Sequence, residues 1–228
     1  MLSPEELEVV SLALRVALWS VLLSAIPGVL LGWVLARWDS PLRPLLHGLV
    51  MLPLVLPPVV TGYILLRGLG RSGPIGKAWE AISGGHIAYT TGACVIAAAV
   101  VGFPLLVESV RLSILGIDRR LELVSRSLGR GPVDTFLRVT LPLSAPGLFA
   151  GVVLSFARAL GEFGATIVLA GNIEGETRQI PIAVYTLLNV PGGEAGAMRL
   201  AAVSVALSFG ALILSATLSR RQARRSGR

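Results

Sequence analysis

Arg158 and Glu162 stand four residues apart in a stretch that is otherwise apolar from 139 to 173. Residues at i and i+4 share one helix face. An ionisable side chain at membrane depth is costly and marks a functional path by default. A free Arg158 could attract an oxyanion, whereas an Arg158 paired with Glu162 would be a neutralised structural pair; the spacing leaves both open. A second constellation lies upstream, where Pro53, Pro57 and Pro58 interrupt an apolar stretch and Thr61, Gly62 and Tyr63 follow at once. Proline has no N–H to donate, so a helix is kinked or opened there. Carbonyls freed at membrane depth are tolerated where they line protein or a watery cavity. The plainer alternative is a bent packing helix.

Other chemistry is missing. Residues 70–78 resemble a phosphate-binding loop at first sight, but the pattern needs glycine at 71 and Ser or Thr at 78, where Arg71 and Ala78 stand. His47 and His86 are isolated, without the spacing of metal ligands. The single cysteine, Cys94, lies in an apolar run and reads as a packing residue. No Ser-His-Asp or paired-carboxylate arrangement stands out. The chain is therefore read as a non-enzyme that needs no cofactor or metal, and any ATP chemistry falls to another chain.

The elements that must hold these residues follow from composition. The 228 residues have a mean hydropathy of +0.77, with 54% hydrophobic and 14% charged. A soluble domain carries about 25% charged residues, so lipid is the solvent this chain is suited to. The net charge of +7 sits between apolar spans and not on one soluble face, which argues against nucleic acid. The acidic start and the long apolar run after it predict no cleaved signal. A span needs roughly 20 apolar residues, and backbone groups in lipid must bond within their own helix. Five transmembrane helices are predicted, at about 12–36, 44–66, 87–110, 139–172 and 199–219, in one all-α polytopic membrane domain covering 1–228. The apolar run within 178–191 is too short to cross and reads as re-entrant or interfacial.

Loop charge sets orientation. The loops after spans one and three, with the C-terminal tail, hold 13 Lys/Arg and 5 acids; the other side holds 6 Lys/Arg and 7 acids. The N-terminus is expected outside and the C-terminus inside, with Arg67, Arg71 and Lys77 as an outer exception. The longest inner loop is 111–138. Leu121, Val124, Ser125 and Leu128 fall at i, i+3, i+4 and i+7, one face of a short helix. Gly129 and Gly131 can end it, and Pro132 can start the next. From periodicity alone, a helix lying on the lipid surface fits as well as a docking element.

This loop resembles the cytoplasmic signature of ABC importer membrane subunits: Gly129, nine residues, then Val139-Thr140-Leu141-Pro142. The family's Glu-Ala-Ala falls on Leu123, Val124 and Ser125, a departure, with Glu122 one residue early. The runs from Leu52 to Tyr63 (LPLVLPPVVTGY), Ala159 to Ile167 (ALGEFGATI), Gly171 to Pro181 (GNIEGETRQIP) and Pro191 to Glu194 (PGGE) are similar to molybdate-type permease subunits. Sulfate-type permeases share the Glu-Phe-Gly-Ala and Gly-Asn-Ile portions but do not usually continue into Gly-Glu-Thr-Arg and Pro-Gly-Gly-Glu.

The resemblance implies a type I ABC importer permease fold. It also implies a homodimer in lipid of a bacterial or archaeal cytoplasmic membrane, an ATP-binding cassette subunit on the inner face and a substrate-binding protein on the outer face. Contact with the ATPase would fall on Asp118, Arg119, Glu122, Leu123, Val124, Ser125, Leu128, Gly129, Val133 and Phe136. The translocation path would use Pro57, Pro58, Thr61, Tyr63, Arg158, Glu162 and Thr166. Molybdate, with tungstate as analogue, is the expected cargo; sulfate or another oxyanion is the alternative in the same class. A passive channel or membrane-embedded enzyme is the alternative of another class.

Overall fold

The computed structural model describes residues 2–225, with side chains through 214 and at Thr217. Its elements are α1 (Pro4–Arg37), α2 (Arg43–Val55), α3 (Pro58–Leu69), α4 (Pro74–Ser83), α5 (Thr91–Leu115), α6 (Arg119–Ser127), α7 (Pro132–Thr135), α8 (Leu141–Leu160), α9 (Gly164–Leu169), α10 (Ile180–Leu188) and α11 (Glu194–Arg225). A π-helical turn, Phe136–Thr140, joins α7 to α8. No strand occurs among the described residues.

Among the described residues, four helical stretches are long and apolar enough to cross a membrane: Pro4–Arg37, Thr91–Leu115, Pro132–Leu160 and Glu194–Leu214. The bent pair α2 and α3 makes a fifth if counted as one span. Local sequence explains α1 well. Ser3 accepts the Glu6 N–H, the Glu6 side chain accepts the Ser3 N–H, and Pro4 takes the first helical position, a reciprocal cap that satisfies two orphan donors.

Two expected spans differ from the structure. The stretch at 44–66 is not one straight helix, because the axis bends by 110° between α2 and α3. Leu56 and Pro57 are extended, with ψ of 142° and 131°, since a residue before proline is pushed out of the helical region. Pro53 stays inside α2, so the break belongs to the Pro57–Pro58 pair. The stretch at 139–172 begins earlier and ends sooner: the helix runs from Pro132 to Leu160, and α9 follows after a break. The loop expected at 111–138 is correspondingly shortened, with α5 extending to Leu115.

α5 is the central helix, flanked by α1 and α8. In lipid no hydrophobic force drives helices together, so small residues that let backbones approach supply the packing. The spaced glycines do this. A Cβ on Gly28 would lie 2.7 Å from Leu106 Cδ2, and one on Gly32 2.8 Å from Val110 Cγ1. On the α8 side, a Cβ on Gly151 would lie 3.0 Å from Ser109 Cβ. Cys94 is fully buried in this core.

The short run at 178–191 forms α10, nine residues and so about 14 Å long, too short to cross. It packs on α11 and touches α1, burying Ile180, Ile182 and Ala183. The tail arginines from Arg220 onward, which weigh in the orientation reading, lie outside the described side chains.

Candidate functional site

The first cluster is built on α6. Asp118 caps it, accepting the Arg120 N–H at 2.9 Å. Leu128 follows its end, and Gly129 adopts a φ of 84°, the left-handed turn that glycine allows. The helix is attached by its polar side. Glu122 accepts from Arg37 Nε and Nη2, both at 3.2 Å, and from Thr140 Oγ1 at 2.7 Å. The hydroxyls of Ser125 and Thr135 are 3.2 Å apart. Arg119 reaches Asp39 at 3.6 Å, and Phe136 packs on Trp33 with ring centroids 5.3 Å apart.

The apolar side of α6 faces away. Leu121, Val124, Leu128 and nearby Val133 are exposed, Leu128 by 75%, while Leu123, also exposed, lines the recess beside Glu122 and Arg37. Periodicity placed Ser125 on one face with Leu121, Val124 and Leu128; Ser125 is instead buried while those three are exposed. The reason is energetic: a buried hydroxyl needs a partner, and Thr135 supplies one only on the inward side. Sequence reasoning also missed Arg37 and Thr140 as anchors. Neither belongs to a local pattern, and Arg37 is 85 residues from Glu122.

The second cluster lies where α3 crosses α9. Gly62 and Gly164 are reciprocal close-approach points. A Cβ on Gly62 would fall 2.7 Å from the Ala165 carbonyl oxygen, and one on Gly164 2.7 Å from Pro58 Cβ. Thr61 and Thr166 are buried, and neither hydroxyl has a hydrogen-bond partner among the described residues. Pro57, Pro58 and Tyr63 are exposed, Tyr63 by 57%. Overpacking a tight crossing costs about 1–3 kcal/mol, and a chain of this size loses roughly 2–4 °C of midpoint per kcal/mol. Gly164→Val is therefore expected to lower the thermal midpoint of the solubilised protein by several degrees; an unchanged midpoint would mean that α3 and α9 do not touch there.

Arg158 and Glu162 do meet. Arg158 Nη1 lies 2.7 Å from Glu162 Oε2, with side chains 28% and 1% exposed. The contact is an ion pair by distance that lacks hydrogen-bond alignment. They do not share a helix: Arg158 lies in the last turn of α8, while Glu162 lies in the break after Gly161. Glu162 Oε1 accepts the Ala165 N–H at 2.8 Å, which ties off the start of α9. Of the two readings of this pair, the geometry is that of the neutralised one.

The 171–181 motif builds its own loop. Gly171 and Gly175 both have φ of 74°. Thr177 Oγ1 accepts the Ile173 N–H at 2.9 Å, and Arg178 Nε donates to Asn172 Oδ1 at 2.7 Å. Asn172 Nδ2 donates to Thr186 on α10 at 3.0 Å. These polar groups hold the loop and α10 in place. Gln179 is buried, with both side-chain polar atoms unpartnered among the described residues.

Comparison with known proteins agrees with this architecture. Residues 28–224 match the family described as binding-protein-dependent transport system inner membrane component. The chain is 47% identical over 227 residues to the molybdenum transport system permease protein ModB of Escherichia coli K12, covering 100% of this chain and 99% of that one. It is 44% identical to the protein of the same name from Haemophilus influenzae, covering 97% of each. Among solved structures, a bacterial ABC transporter that imports alginate matches with a TM-score of 0.73 at 17% identity, covering 96% of this chain and 80% of that one. The methionine ABC transporter MetNI in inward-facing conformations matches with a TM-score of 0.71 at 16% identity, covering 94% of each. At such identities the structural likeness speaks to fold.

Proposed function

Since the chain belongs to the family of binding-protein-dependent transport system inner membrane components, we propose that it is the permease subunit of an ATP-driven molybdate importer. It is a multi-pass inner-membrane transport subunit, and ATP hydrolysis belongs to a separate subunit. The observation that carries the cargo is the end-to-end likeness to the molybdenum permeases. Tungstate, a close analogue of the same charge and shape, is expected to follow molybdate.

The mechanism begins at α6. An exposed apolar patch on a charged, water-facing loop marks a protein contact, and Leu121, Val124, Leu128 and Val133 supply one, with Leu123 exposed at the recess beside Glu122. The ATPase subunit docks there, with Asp118, Arg119, Ser125, Gly129 and Phe136 shaping the element it grips. Glu122 ties α6 to Arg37 at the end of α1 and to Thr140 at the entry to α8. Movement of the ATPase surface is thereby passed to two spanning helices. An inward-open to outward-open switch follows when nucleotide binds the two states unequally.

The path runs beside the α3–α9 crossing, with exposed Pro57, Pro58 and Tyr63 along it and buried Thr61 and Thr166 packed behind them. The Arg158–Glu162 pair supports its wall, because an arginine already neutralised offers little to an anion. Five spans do not enclose a path alone, so two copies assemble about a two-fold axis. The N-terminus faces out, where a soluble binding protein delivers the dianion.

The test is ATP hydrolysis by the complex reconstituted in liposomes. Binding protein loaded with molybdate or tungstate should stimulate it, and binding protein offered sulfate should not. Equal stimulation by sulfate would make the chain a general oxyanion permease. Molybdate flux that persists without any ATPase subunit would make it a passive channel.

A further inference from the structure

The outer basic exception of the sequence has a structural setting. Segment 67–86 carries Arg67, Arg71, Lys77 and His86 against one acid, Glu80. A recess of ≈ 290 Å³ is lined by Arg67, Arg71, Ser72 and Tyr89. Arg71 Nη2 lies 3.2 Å from His86 Nδ1, and His86 stands on the rim of a second, apolar groove of ≈ 660 Å³. The walls of that groove are Trp19, Leu22 and Leu23 from α1, Val95 and Ile96 from α5, and Trp79 from α4. Trp19 is 60% and Trp79 49% exposed. On α4, Ile75, Trp79 and Ile82 fall at i, i+4 and i+7, and all three are exposed. That is the pattern of a short helix lying in a membrane interface, where tryptophan is favoured.

We propose that the two recesses form one site for an anionic phospholipid, with its phosphate between Arg67 and Arg71 and an acyl chain along the Trp19–Trp79 groove. The Arg71–His86 contact joins the head site to the tail site. The argument for this occupant is charge complementarity continued into an apolar groove. A free oxyanion would use the arginines and leave the groove unexplained. A second copy of the chain would have to bring an acid to Arg71. The leaflet concerned is the outer one only on the orientation proposed above; the site itself does not depend on it.

The test is native mass spectrometry of the purified transporter complex, given phosphatidylglycerol and phosphatidylcholine in equal amounts. The wild-type complex should retain phosphatidylglycerol preferentially. Arg71→Gln should lower that retention by about fivefold, the factor expected for one basic residue beside an anionic lipid, while Arg71→Lys keeps most of it. Trp79→Ser should weaken retention of phosphatidylglycerol without changing the copy number. Both side chains are exposed, so neither substitution opens a buried cavity or leaves a buried charge. Equal retention of the two lipids by the wild type overturns the proposal, as does retention unchanged in Arg71→Gln. Displacement of the lipid by millimolar inorganic phosphate, with Trp79→Ser silent, assigns the arginines to a free anion instead. Dissociation of the complex by Trp79→Ser makes the groove a seam between copies. Transport is not read, so failure here leaves the importer assignment standing.

Discussion

Arg158→Gln should lower the thermal midpoint of the solubilised complex and cut its molybdate-stimulated ATP hydrolysis by roughly tenfold or more, and adding Glu162→Gln should restore the midpoint. Glu162 is 1% exposed and has two contacts, the Arg158 guanidinium and the Ala165 N–H. Removing one partner of a buried pair leaves an uncompensated charge, which costs about 3–5 kcal/mol. Arg158 is partly exposed, so the lower end of that range applies to stability, and a distortion of the break that raises the barrier by about 1.4 kcal/mol is enough for tenfold in rate. The break at 161–163 would then loosen, and α9 would lose the carboxylate that fixes its first turn. In the double variant no charge remains buried, and the glutamine amide oxygen can still accept from Ala165. Activity should recover with stability. If the midpoint returns and hydrolysis does not, Arg158 acts on the anion directly and the wall role assigned to the pair is wrong.

The same pair shows what a sequence can and cannot carry. Spacing brought Arg158 and Glu162 together, and they do meet, but by wrapping round a chain break and not along one helix face. Gly161 and the buried carboxylate decide that, and their effect depends on α3 pressing Pro58 against Gly164. Long apolar runs announced helices, because lipid demands them whatever their partners, but at 44–66 and 139–172 those runs crossed breaks that apolar length does not reveal. The helix breaks at Pro57–Pro58 followed from proline chemistry, yet the 110° bend did not, since its size is set by what the two halves pack against. The residues of the 171–181 motif carried the family resemblance while serving a structural end: Thr177, Arg178 and Asn172 bond within the loop and to α10. On α6 the helix was legible and its facing was not. Which side turns inward depends on Arg37, Thr135 and Thr140, contributed by distant or later segments that no local pattern links to Glu122.

That facing gives the second large effect. Glu122→Ala should leave the ATPase subunit bound but break the link between hydrolysis and transport, so that the ATP spent per molybdate moved rises several-fold. Glu122 and Arg37 are each only 13% exposed at the side chain. Hydrogen bonds to charged groups are worth about 1.5–3 kcal/mol each, and Glu122 accepts from both Arg37 and Thr140. Without them α6 keeps its Asp118 cap and the Ser125–Thr135 contact, so the helix persists and its exposed leucines still dock. What it loses is the rigid connection to α1 and α8. Arg37→Gln should act in the same direction but more weakly, because Glu122 retains Thr140. Leu121→Ser with Leu128→Ser should do the opposite: the anchor stays and the ATPase subunit dissociates on size-exclusion chromatography. Docking and transmission are thus assigned to opposite sides of one nine-residue helix. If Glu122→Ala releases the ATPase subunit as completely as the leucine variants do, the two sides are not separable, and α6 works as a single contact whose folding, not its anchoring, couples the engine to the path.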